Sequence, residues 1–112
     1  MKKVLIIDDE VDLCLMIRQF LTKRNYEVHI AHTLTEGFNR LKALLPDVLI
    51  LDNNLPDGMG WELAKSIHES YPSMKITLIS AYKLAKDLHI GMGHSIKVLE
   101  KPVSLLEIEQ HL

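Results

Sequence analysis

Four short stretches place chemically capable side chains at the ends of apolar runs. Asp8 and Asp9 follow Val4–Ile7, with Glu10 behind them, and Asp52 follows Val48–Leu51. Ser80 follows Ile76–Ile79, and Lys101 follows the run 96–100. Together these groups suit phosphoryl transfer. Magnesium prefers oxygen ligands and takes one or two carboxylates with a phosphate oxygen, keeping several waters. A carboxylate such as Asp52 can attack phosphorus and form an acyl phosphate. A hydroxyl and an ammonium can then hold the remaining oxygens of the transferred group. Each stretch has a plainer explanation by itself. Asp8–Glu10 would favour the positive end of a following helix, and Asp52 opens the turn-forming DNNLPDG. Ser80 would be an ordinary strand-end hydroxyl and Lys101–Pro102 a helix approach. Their common position at carboxyl ends points to one site.

Positioning those ends requires an alternation of strands and helices. Strand-like runs occupy residues 3–8, 26–31, 47–51, 75–80 and 96–100. The first, third and fourth are nearly continuous apolar runs, as expected of parallel strands covered on both faces. Between them, Leu13, Met16, Ile17, Phe20 and Leu21 form a helical stripe closed by Asn25. Leu34, Phe38, Leu41 and Leu45 form a second, stopped by Pro46, and Leu63, Ala64, Ile67 and Tyr71 a third, stopped by Pro72. Leu84, Ala85, Leu88 and Met92 form a weaker fourth, and Ser104 caps a short fifth. The reading is an α/β (βα)5 fold, a three-layer sandwich around a parallel sheet. A flavodoxin-like strand order of 2-1-3-4-5 reverses between the first and third strands. That reversal is where ligands collect, and it would bring Asp8, Asp9 and Asp52 together.

Length and composition narrow the classes further. The 112 residues suffice for one domain, and 47% hydrophobic with 25% charged residues is ordinary globular usage. No apolar run is long enough to cross a bilayer, and MKKVLIIDDE has no signal-peptide pattern. A net charge of −2 argues against nucleic-acid binding by this segment. The single Cys14 excludes an internal disulfide, fits a reducing cytosol, and reads as a packing residue just off the first stripe. His29 and His32 lack a second ligand pair at zinc spacing, and Trp61 and Tyr71 read as packing of the third helix.

LIIDDE, LILDNNLPDGMG, LISA and LEKPV stand in the order and approximate spacing of bacterial response-regulator receiver domains, which the chain resembles over nearly its whole length. The resemblance implies a cytoplasmic receiver domain over 1–112, alone or as the front of a longer protein, that switches a two-component phosphorelay. It implies Asp52 as phosphoacceptor, Asp9 as a direct Mg2+ ligand, and Asp8 acting mainly through metal-bound water. Asn54 would give its backbone carbonyl to the metal, Ser80 the switch hydroxyl, and Lys101 the phosphate-binding ammonium. Pro56 and Gly58 would shape the loop, and the Lys101–Pro102 bond would be cis. Implied partners are a sensor histidine kinase or phosphotransfer protein, an output domain or downstream protein, and a second copy in a homodimer. The implied role is that of a regulator which promotes its own phosphotransfer, not an enzyme acting on other molecules.

The chain departs from that pattern at Val98, where receivers usually carry Tyr or Phe. Tyr82 is a candidate to cover part of the same surface. His94 and Ser95 replace a usual small Gly-Ala pair, and the fifth helix is short. Val98 raises the alternative of a pseudo-receiver, an interaction module with impaired switching. A haloacid-dehalogenase-like phosphatase would need an acid two residues after its nucleophilic Asp, and Asn54 cannot supply one.

Overall fold

The computed structural model describes residues 1–81 and 96–112. The expected fourth helix, Tyr82, His94 and Ser95 lie outside the described residues. In chain order the elements are β1 (Lys3–Ile7), α1 (Val11–Thr22), β2 (Glu27–Ala31), α2 (Leu34–Leu44), β3 (Val48–Asp52), β4 (Asn54–Leu55), β5 (Gly58–Met59), α3 (Gly60–Ser70), β6 (Lys75–Ser80), β7 (Ile96–Glu100) and α4 (Leu105–Gln110). Five strands form one parallel sheet in the order β2-β1-β3-β6-β7. With the short antiparallel β4–β5 ribbon set aside, this is the expected 2-1-3-4-5 order.

Side-chain alternation along each strand supplies both faces of the sheet. Leu5, Ile7, Leu49, Leu51 and Leu78 pack with Leu41 of α2 and with Ala64 and Ile67 of α3. Val4, Ile6, Val48, Ile50 and Ile79 pack with Cys14, Ile17 and Leu21 of α1 and with Ile108 of α4. Full burial of each large aliphatic side chain contributes about 1.5–3 kcal/mol, so the central strands are anchored from both faces. Gly37 lets α2 lie directly on β1, because a Cβ there would run into the Ile7 side chain.

Helix ends follow local chemistry. The Thr33 hydroxyl accepts the Glu36 N–H to cap α2, and the Ser104 hydroxyl accepts the Glu107 N–H to cap α4 as expected. Asn25 takes a left-handed conformation beyond α1. Two stripe residues belong elsewhere. Met16 is exposed, and fully buried Cys14 takes its place on the inward face with Ile17 and Leu21. Small Cys14 fits under the first strand, whereas the i, i+3, i+7 spacing of 14, 17 and 21 was masked by the larger neighbours. Leu45 is the left-handed C-cap of α2 and points outward, while Leu44 packs against the core. Tyr71 follows α3 as its C-cap and, like Trp61, packs on the α2–α3 side of the core.

Candidate functional site

Parallel registration brings the strand ends to one edge. Ile7 lies beside Leu51, so Asp8 and Asp52 are the next residues on adjacent strands. Asp52 pairs with Ile79, which sets Ser80 one step beyond it, and Ser80 pairs with Glu100, immediately before Lys101. The Lys101 N–H donates to the Ser80 carbonyl at 2.7 Å, fixing the start of the lysine arm. The Lys101–Pro102 bond is cis, as the resemblance implied.

Asp8, Asp9 and Asp52 each offer a carboxylate oxygen, all within 4.8 Å of one another. Asp8 and Asp52 are buried and Asp9 is exposed. The Lys101 ammonium stands 3.3 Å from Asp8 Oδ2 and 3.5 Å from Asp52 Oδ2. It approaches Glu10 Oε1 much more closely, at 2.6 Å. Among the described residues, one cation therefore faces four nearby acids.

That imbalance shows in the proton affinities. Burial, opposed by the Glu10 N–H and the nearby lysine, holds the Asp8 carboxyl above its ordinary value. Burial and then the Asp8 charge push Asp52 up to about 6, against the Asn54 N–H and Lys101. Burial alone would lower Lys101, but Glu10, Asp8 and Asp52 hold its ammonium above the usual range. Asp8 Oδ2 is buried and accepts no hydrogen bond among the described residues, its contact with Lys101 being an ion pair only. An orphaned, desolvated oxygen among three hard donors is the environment a small divalent cation relieves. The residues present fit Mg2+.

The loop after β3 is fixed at both ends. The Asn53 side chain accepts the Trp61 N–H at 3.0 Å, and its carbonyl accepts the Gly60 N–H, so it caps α3 from the site side. Asp57 accepts the N–H groups of Leu34 and Thr35 and the Thr35 hydroxyl, bracing the loop against α2. Pro56 and Gly58 sit at the turn of the β4–β5 ribbon, with Gly58 at φ +152. Gly60 is the stricter requirement, since a Cβ there would meet the Asp52 carbonyl. Asn54 donates its N–H to Asp52 Oδ1 at 3.3 Å and lies half-buried beside the cluster.

Asp8, Asp9, Asp52 and Lys101 thus lie together, with Ser80 at the adjoining strand end and Asn54 alongside. Glu10, assigned to the start of α1 from sequence, is that helix's N-cap, but its side chain caps nothing and reaches Lys101. Asn53, Asp57 and Gly60 were legible only as turn composition; their partners lie on other elements. His29 pairs with Glu27 on its own strand, and His32 Nδ1 donates to the Asp8 carbonyl. Val98 is half-buried and packs with the core on the α2–α3 side.

A doubly wound α/β sheet with an acidic cleft at its topological switch point defines the class to which the molecule can be assigned. The chain belongs to the response regulator receiver domain family, whose model matches residues 4–112. It is 30% identical to the transcriptional regulatory protein TrcR of Mycobacterium tuberculosis over 98% of this chain, and spans 43% of TrcR. It is 35% identical to the chemotaxis protein CheY of Thermotoga maritima over 71% of this chain and 68% of CheY. The chemotaxis response regulator CheY4 of Vibrio cholerae superposes with a TM-score of 0.85 at 27% identity, covering 100% of this chain and 99% of CheY4. No described helix is long and apolar enough to cross a membrane.

Proposed function

We propose that residues 1–112 form a cytoplasmic receiver domain whose Asp52 accepts a phosphoryl group from a phosphohistidine on a sensor kinase or phosphotransfer protein. An Asp52 carboxylate oxygen forms the new O–P bond as the P–N bond of phosphohistidine breaks, and the imidazole leaves with a proton from solvent. The observation that carries this reading is the convergence of Asp8, Asp9 and Asp52 within 4.8 Å beside the Lys101 ammonium.

Asp8, Asp9, Asp52 and the Asn54 carbonyl would hold Mg2+, which when bound offsets the negative charge that would otherwise repel a phosphoryl donor. Lys101 binds a phosphoryl oxygen, and Ser80, at the adjoining strand end, supplies the switch hydroxyl. The Asn53 and Asp57 braces keep Asp52 from drifting as charge accumulates, which is positioning rather than chemistry. Output passes to a following segment or to a separate protein. Intact Asp8, Asp9, Asp52, Ser80 and Lys101 favour a working switch over a pseudo-receiver, although position 98 carries no aromatic ring.

Incubation with a small acyl-phosphate donor and Mg2+, followed by intact-mass analysis, tests the reading. One phosphoryl adduct on the wild-type chain and none on Asp52→Asn is expected. No adduct, or an equal adduct on the variant, would refute it.

A further inference from the structure

The shortest contact of Lys101 is with Glu10, not with any acid that would hold metal or phosphoryl group. Its ammonium lies 2.6 Å from Glu10 Oε1 but 3.5 Å from Asp52 Oδ2. The two residues are 91 positions apart in sequence, so local chain geometry does not force the pairing. Capping α1 would be the ordinary role for an acid at this position, yet the Glu10 side chain accepts no N–H from the helix. Its backbone is held in place, because the Glu10 N–H donates to Asp8 Oδ1 at 2.8 Å. The Lys101 backbone is held too, through the Ser80 carbonyl. What remains free on each side is the flexible stem between a fixed backbone and a charged head.

We infer that Glu10 is a positioning residue: its carboxylate draws the Lys101 ammonium to the rim of the site, and an incoming phosphoryl group must take the lysine away from it. This rests on the phosphoacceptor reading above. An ammonium has three donors, so Lys101 can turn from Glu10 towards a phosphoryl oxygen by rotating about its stem while keeping its contact with Asp8. The Glu10 side chain is 56% exposed and that of Lys101 only 14%. Water can therefore receive the released carboxylate, whereas the lysine exchanges one anion for another inside the cleft. Glu10 would then set how readily the site captures the transferred group, without contacting it.

An ion pair with one solvated partner contributes little, about 0.2–1 kcal/mol, corresponding to a roughly 1.4- to fivefold effect. Beryllium fluoride, titrated at saturating Mg2+ with Trp61 fluorescence or amide spectra as readout, measures capture directly. Glu10→Gln removes the charge, and Glu10→Asp keeps it while withdrawing it by one methylene from Lys101. We expect both variants to bind the fluoride about 1.4- to fivefold more tightly than wild type, with thermal midpoints changed by no more than a few degrees. Tighter binding by Glu10→Gln with wild-type behaviour of Glu10→Asp would assign the effect to the general field and overturn the positioning role. Unchanged or weaker binding by both would overturn it as well. A wild-type chain that binds no fluoride removes the phosphoacceptor reading and this inference with it; wild-type binding with unaltered variants removes this inference alone.

Discussion

Asp52, the last residue of β3, and Asp57, in the turn that follows, are the same residue type five positions apart, and the fold treats them oppositely. Asp57 is exposed and accepts three hydrogen bonds from the start of α2, which hold its carboxyl below the ordinary range. Asp52 is buried, receives one long backbone hydrogen bond, and is pushed up to about 6 by burial and by Asp8. The first acid is matched by donors and steadies the scaffold. The second is left short of them, which disfavours its ionised form until something positive arrives. Unmet charge distinguishes the proposed phosphoacceptor from the structural acid, and it is visible only when both environments are known.

Exchanging the two acids in turn breaks this comparison most sharply. Asp52→Asn is expected to abolish phosphoryl labelling entirely, whereas Asp57→Asn keeps labelling at Asp52 and lowers the thermal midpoint. Labelling that survives in the first variant and disappears in the second would reverse the assignment.

The pH response separates them next. Asp52 has a folded value of about 6 against 3.8 for the free side chain, so the folded state binds its proton more tightly. Its contribution is greatest below about pH 4 and is lost as pH rises through about 6, a change on the order of 3 kcal/mol. Metal-free Asp52→Asn should therefore gain on wild type over that interval and stay ahead at neutral pH, as denaturant unfolding in chelator would show. Asp57 has the opposite sign, since its depressed value gives stability above the ordinary carboxylate range that is lost as pH falls through the folded value. Mg2+ must displace the Asp52 proton below about pH 6, so its affinity, followed by calorimetry, falls as the solution is acidified.

Smaller effects test the support around Asp52. Gly60→Ala forces a methyl group against the Asp52 carbonyl and should cost about 1–3 kcal/mol in chemical unfolding, with slower labelling because the loop must shift. Asn53→Ala removes the side-chain cap of α3 and should cost about 1 kcal/mol. Labelling slowed by Gly60→Ala but unaffected by Asn53→Ala would place the geometric control at the helix start rather than at its cap.

Much of this was legible in the sequence because strands are short, parallel and two-sided. Apolar runs ending in Asp8, Asp52 and Ser80 fix those side chains at one sheet edge once the strand order is known, and Lys101 follows from its own run. Helix faces were less legible. Met16 is as apolar as Cys14, and only the angle at which α1 lies on the sheet decides which of them turns inward. Least legible were the partners across elements: Asn53 with α3, Asp57 with α2, and above all Glu10 with Lys101. Residue type predicts that an acid follows Asp8 and Asp9, but only the tertiary fold decides whether it caps a helix or holds the lysine.

The central claim is that Asp52, among the four clustered acids, is the one that attacks phosphorus. Borohydride reduction of the labelled protein converts an aspartyl phosphate to homoserine, which peptide sequencing by tandem mass spectrometry locates. Homoserine at position 52, formed with Mg2+ and absent when the metal is chelated, is the predicted result. Homoserine at position 8, 9 or 10, or none under conditions that support labelling of related receivers, would contradict the account.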